Sequence, residues 1–172
     1  MKISSEQHAK FQPFVTSVGG YAPTIVMQGL ITLTGGQVPT AGIVDRAFDD
    51  SSTTVWRGLW LTPAALAFVE FENTGNDDWH AGRSGRGEVT RTDGWVRRLS
   101  SISSIQLRDV EATQPDFSSE YPWRAGGSIH FIDGVEVQVP LFEGSTSYWV
   151  ADSASDFLSS VAAEFSRDAP VA

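Results

Sequence analysis

Val55-Trp56-Arg57-Gly58-Leu59-Trp60-Leu61-Thr62-Pro63-Ala64-Ala65-Leu66-Ala67-Phe68-Val69-Glu70-Phe71-Glu72 is a pair of strand-favouring runs around a breaker. Branched, aromatic and leucine side chains suit the pleated surface of a sheet, while Pro63 fixes its own φ and presets a turn. The stretch predicts an antiparallel hairpin over 54–72. In its first run Trp56 and Trp60 share a parity, with Gly58 between them, and Leu59 and Leu61 take the other, because successive strand side chains point to opposite faces. One face is aromatic and the other aliphatic, and a two-layer fold needs an extra element to hide both. Trp56 and Trp60 are therefore candidate protein-interface residues, with cover from residues 1–22 as the intramolecular alternative.

Downstream, Asn73 to Asp93 is polar and rich in breakers, so it reads as a long loop with a short strand near Val89. Trp95 to Leu99 and Ser104 to Val110 read as two further strands about a serine-rich bend. The cleanest alternation lies in Gly127 to Ile132 and Val135 to Val139 around Asp133-Gly134, a dipeptide suited to a tight hairpin with positive φ at both central positions. The chain closes on a helix over Asp152 to Arg167, with Ser153 and Asp156 expected as an acidic capping box. Phe157, Leu158, Val161, Ala162 and Phe165 form its apolar stripe.

Upstream of the hairpin, Ser4 or Ser5 caps a short helix through Ala9 and Phe11, interrupted by Pro13. Thr24 to Thr34 is rich in Ile, Val, Leu and Thr and predicts a strand, broken at Gly35-Gly36. Residues 37–52 read as a connection with one short strand near Ile43-Val44.

The chain has 172 residues, 41% of them hydrophobic and 11% aromatic, enough apolar material for one core and too much for a disordered chain. It has no cysteine, which excludes disulfides and thiolate metal sites. The net charge of −9 opposes nucleic acid and anionic membranes, so neither is an expected partner. No stretch approaches the ~18 apolar residues that span a bilayer, and the expected location is the cytoplasm.

Gly58-Leu59-Trp60-Leu61-Thr62, the turn and Leu66-Ala67-Phe68 resemble the early hairpin of bacterial pleckstrin-homology and GRAM-type domains. Ile102 and Ile105 resemble the isoleucine-bearing segment of these families, and the Asp133-Gly134 hairpin and closing helix complete the order over about residues 54–166. The resemblance implies an α+β, mainly β fold: a PH-like two-sheet barrel or sandwich of about seven strands closed by a C-terminal helix. It places residues 23–168 in that domain, with 1–22 an N-terminal extension and 169–172 a tail. The family's phosphoinositide motif follows the first strand. Residues 35–52 hold one base, Arg46, among Asp45, Asp49 and Asp50, so that motif is not carried over.

Arg83, Arg86, Arg91, Arg97 and Arg98 concentrate positive charge beside Gly82, Gly85 and Gly87, and are candidates for binding an anion, phosphopeptide or lipid headgroup. Asp77, Asp78 and His80 are weak candidate metal ligands, since their spacing matches no established motif and a solvated acidic loop has the same composition. Of the three histidines, His8, His80 and His130, none adjoins a nucleophile elbow, and Glu70 and Glu72 share a strand face as exposed acids commonly do. The expected function is a non-catalytic binding or assembly module with a protein partner, including a second copy of itself. No catalytic residue and no cofactor is assigned. Anion binding through the arginine segment and a small enzyme without a recognisable motif are the alternatives.

Overall fold

The decisive hairpin is present, but both faces of its first strand are buried from Gly58 to Leu61, and Trp56 is buried as well. The computed structural model describes residues 3–17, 20–48, 53–74, 89–112, 123–142 and 148–168. In chain order its elements are α1 (Ser5–Phe11), a 3-10 turn (Gln12–Val15), β1 (Thr16–Ser17), β2 (Gly20–Tyr21), α2 (Thr24–Leu33), β3 (Ala41–Phe48), β4 (Thr53–Leu61), β5 (Ala65–Thr74), β6 (Val89–Arg98), a second 3-10 turn (Leu99–Ser101), β7 (Ile102–Ala112), β8 (Trp123–Phe131), β9 (Glu136–Val139) and α3 (Tyr148–Asp168). Apart from the small β1-β2 ladder, seven strands form two antiparallel sheets of order β3-β4-β5-β6 and β7-β8-β9. The fold is mainly β with a C-terminal helix, and among the described residues the sheets stay separate and form no closed barrel.

The chain divides into two units, residues 1–97 and 98–172. In the first, Leu61 pairs with Leu66 around a Thr62-Pro63-Ala64-Ala65 turn, where the Thr62 amide donates to the Ala65 carbonyl at 2.9 Å. Trp56 and Trp60 are 1% and 0% exposed and share one cluster with Phe11, Val15, Ala22, Val26, Met27, Leu30 and Ile31. The expected interface pair is thus covered by the chain's own N-terminal segment. Phe11, Val15 and Ala22 of the stretch before residue 23 belong to this core, while residues 4–10 are exposed.

Residues 24–33 are a helix, not the expected strand. The segment satisfies a second period: Val26, Met27, Leu30 and Ile31 lie at i, i+1, i+4 and i+5, and all four are buried against the tryptophan face. Gly29 lets the helix sit close, since a methyl group there would lie 3.0 Å from the Phe71 ring and 3.2 Å from Val69. The expected break at Gly35-Gly36 is the helix's C-terminal cap. Gly35 and Gly36 have φ of 62° and 83°, and their amides donate to the Thr32 and Ile31 carbonyls at 3.3 and 2.9 Å, closing a Schellman motif. The short strand expected near Ile43-Val44 extends over all of β3, and its register puts Gly42 opposite Trp60. At the N-terminus Ser4 caps α1 as expected, with Gln7 completing the box.

In the second unit β8 is central, and the odd-numbered Ile129, Phe131, Val137 and Val139 are buried. Helix α3 buries Ala154, Phe157, Leu158 and Val161, and Leu158 approaches Gly127. The expected stripe is the buried face, but the expected cap at Ser153 is not the start of the helix. The helix begins at Tyr148, so Ser153 lies inside it. The β8-β9 loop also differs: Phe131 pairs with Val135 across Ile132, Asp133 and Gly134, and only Gly134 is left-handed, at φ 85°. A three-residue loop of this kind needs one left-handed position rather than two.

Candidate functional site

The two outer surfaces of the sheets carry the polar chemistry. On the first sheet, Glu70 of β5 accepts from Arg57 Nε of β4 at 2.7 Å, and Arg91 Nη1 of β6 lies 3.7 Å from its other oxygen. Arg91 also reaches Asp93 at 3.9 Å, and Glu72 Oε1 accepts from the Thr90 hydroxyl at 3.2 Å. The two glutamates that share a face are therefore engaged by partners, a row of alternating charge across three strands. The Arg57–Glu70 pair is partly buried, whereas an exposed pair such as Arg91–Asp93 is worth about 0–1 kcal/mol and fixes geometry more than it stabilises.

The arginine segment does not converge in its described part. Arg91 is directed to Glu70 and Asp93. Arg97 lies over the Trp95 ring, 5.2 Å from its centroid, while Trp95 stacks on Phe68 at 5.3 Å and 20°. Arg98 has the opposite parity and is exposed. Arg83, Arg86, Asp77, Asp78 and His80 lie outside the described residues. Among the described residues no three His, Asp or Glu side chains gather as metal ligands.

On the second sheet the structure assembles a group that sequence reasoning did not find. Ser128 and His130 share the even face of β8, and the register sets His130 opposite Glu136 of β9. Ser128 Oγ and His130 Nε2 are 2.9 Å apart, His130 Nδ1 is 3.9 Å from Glu136 Oε2, and Arg108 Nη2 of β7 reaches Glu136 Oε1 at 3.3 Å. The signal was available: Ser-x-His on an alternating strand, then a short loop and an acid, gives one row in an antiparallel pair.

Hydroxyl, imidazole and carboxylate stand in the order used for nucleophilic catalysis, but three features oppose that use. Ser128 is 0% exposed, and the imidazole-carboxylate separation exceeds a hydrogen bond. Backbone amides of β8 are also engaged in ladders on both sides, leaving the strand poorly placed to supply an oxyanion hole. The arrangement satisfies a buried hydroxyl beneath a charged surface.

The remaining surface feature is the set of strands that end the sheets, β6 and β7 among them. β6 ends the four-stranded sheet, and its residues from Val89 to Gly94 are all exposed, with Val96 49% exposed beyond them. β7 ends the other sheet and exposes Leu107 and Val110 at 58% and 59%. Its ladder is broken between Arg108 and Glu111, where Asp109 takes φ 51°. A bulge of this kind twists an edge away from further pairing, so β7 is blunted, whereas β6 ends the four-stranded sheet among the described residues. Along the opposite edge, β3 lies beside the first 3-10 turn and β1.

No helix among the described residues is long and apolar enough to cross a membrane. No protein-family model, curated protein or solved structure matches the chain.

Proposed function

We propose that the chain is a non-catalytic binding or assembly module of the PH-like type that engages protein through the open edge of its four-stranded sheet. The carrying observation is β6: a ten-residue outer strand, exposed along most of its length, with Val89 and Val96 at 41% and 49% exposure. Such an edge offers a row of backbone donors and acceptors, and an added strand satisfies them while side chains of alternating parity read the partner. The order of four strands, three strands and a closing helix supports the PH-like reading. The engagement of Arg91 and Arg97 within the sheet argues against an anion site there, and the enclosure of Ser128 argues against an enzyme.

A photo-crosslinking residue placed at Val96 tests this reading against one placed at Lys10 on the exposed face of α1. Discrete heavier protein adducts from Val96 and none from Lys10 are expected in cells that express the full chain. Equal labelling from both positions, or no adduct from Val96, would overturn it.

A further inference from the structure

The chemistry of β6 identifies its partner strand. This inference rests on the proposed use of the β6 edge and deepens it. We propose that β6 pairs antiparallel with β6 of a second copy about a two-fold axis midway between the two copies of Thr92, joining two four-stranded sheets into one.

A two-fold that swaps two antiparallel strands stands normal to the sheet, so each face stays on its own side and residues directly opposite have the same parity. The axis must then stand midway between one residue of the strand and its own copy. Val89 to Arg98 contains one acid, Asp93, and three bases, Arg91, Arg97 and Arg98. An axis at Arg91 sets arginine against arginine, one at Asp93 sets acid against acid, and one at Gly94 sets Arg91 against Arg97. Like charges directly opposite destabilise a sheet. An axis at Thr92 sets Arg91 against the second copy's Asp93, and does so twice by symmetry. An axis at Trp95 sets Asp93 against the second copy's Arg97, but it pairs only residues 92–98 and leaves the exposed Val89, Thr90 and Arg91 uncovered.

The Thr92 axis also matches the exposure pattern. It pairs the chain from Val89 to Trp95, covering the exposed run, and sets Val89 against the second copy's Trp95 and Thr92 against Thr92. Branched-with-aromatic and Thr-with-Thr pairs are favourable cross-strand neighbours. Arg91 and Asp93 keep 60% and 64% side-chain exposure in the single chain, so both are accessible to a second copy. Many natural edges avoid self-pairing by presenting like charge or a bulge; β6 alternates its charge at the spacing its own copy complements.

The chain contains no cysteine, so single-cysteine variants report the register directly. Opposite Cα atoms in an antiparallel pair stand ~4.5–5.5 Å apart, inside the range a disulfide requires. Thr92→Cys should form a disulfide-linked dimer on mild oxidation, whereas Thr90→Cys and Val96→Cys, displaced from the axis, should stay largely unlinked. Light scattering on the unmodified chain should give the mass of two copies. A single-copy mass at high concentration would overturn the self-pairing while leaving an edge partner of another kind open to the Val96 test. A two-copy mass with equal or no linking at Thr92 would overturn this axis.

Discussion

The indole N–H of Trp60 donates to the carbonyl oxygen of Phe14 at 2.7 Å, joining β4 to the N-terminal segment across 46 positions of sequence. This contact closes the aromatic face of the hairpin. Gly42, opposite Trp60 in the register, and Gly58, two residues before it, leave the surface on which the ring lies; a methyl group at either would overlap the indole.

Gly58→Ala should therefore destabilise the chain by roughly 1–3 kcal/mol, the usual range for overpacking a well-filled core. Trp60→Phe should cost a comparable amount, because it leaves the Phe14 carbonyl without this donor and the ring site underfilled. Chemical denaturation followed by tryptophan fluorescence measures both. A Gly58→Ala chain as stable as the unmodified one would show that the indole does not need that space.

Gly35→Ala tests the cap of α2 separately from packing. A Cβ at Gly35 meets nothing within 4 Å, so the expected loss, ~1–2 kcal/mol, comes only from holding a non-glycine residue left-handed. Gly35→Asn should lose less than Gly35→Ala, since asparagine tolerates that conformation better. Equal losses for the two variants in thermal unfolding would remove the backbone explanation.

At Gly127 the obstacle is rigid. A methyl group there meets the Gln106 carbonyl oxygen and comes within 3.1 Å of Leu158. Gly127→Ala should loosen both the β7-β8 ladder and the seat of α3, costing at least as much as Leu158→Ala, for which large-to-small core changes give about 2–5 kcal/mol. Hydrogen exchange should show faster exchange in β8 and α3 than in β4 and β5. Uniform acceleration across both sheets would contradict the localisation.

Inositol hexakisphosphate at physiological salt should leave the melting temperature unchanged. A ligand that binds the native chain raises it by mass action, but Arg91 and Arg97 are engaged within the sheet and the net charge is −9. A concentration-dependent rise abolished by Arg91→Ser would restore the anion-binding alternative.

Local patterns determined much of this chain. The Pro63 hairpin, the alternation of Glu136 to Val139 and the stripe of α3 are periodicities within one element, and each element includes the residues that indicated it, although α3 begins at Tyr148 rather than Asp152. Ser4 and Gln7 likewise cap α1 through contacts three residues apart. Thr24 to Leu33 is different, because its apolar residues satisfy both a strand and a helix. Per-residue propensity differences there are a few tenths of a kcal/mol, whereas burying Val26, Leu30 and Ile31 contributes about 1.5–3 kcal/mol for each large side chain. The segment became a helix because the tryptophan face of β4 needed a cover, and Gly29 and the Gly35-Gly36 cap allowed a helix to supply it. Strand parity established that Trp56 and Trp60 share a face. Which chain covers that face is a long-range question, decided by the Phe14 carbonyl and the packing around it. The Ser128-His130-Glu136 row was half legible: the spacing along β8 was in the sequence, but only the β8-β9 register brought the acid opposite the imidazole.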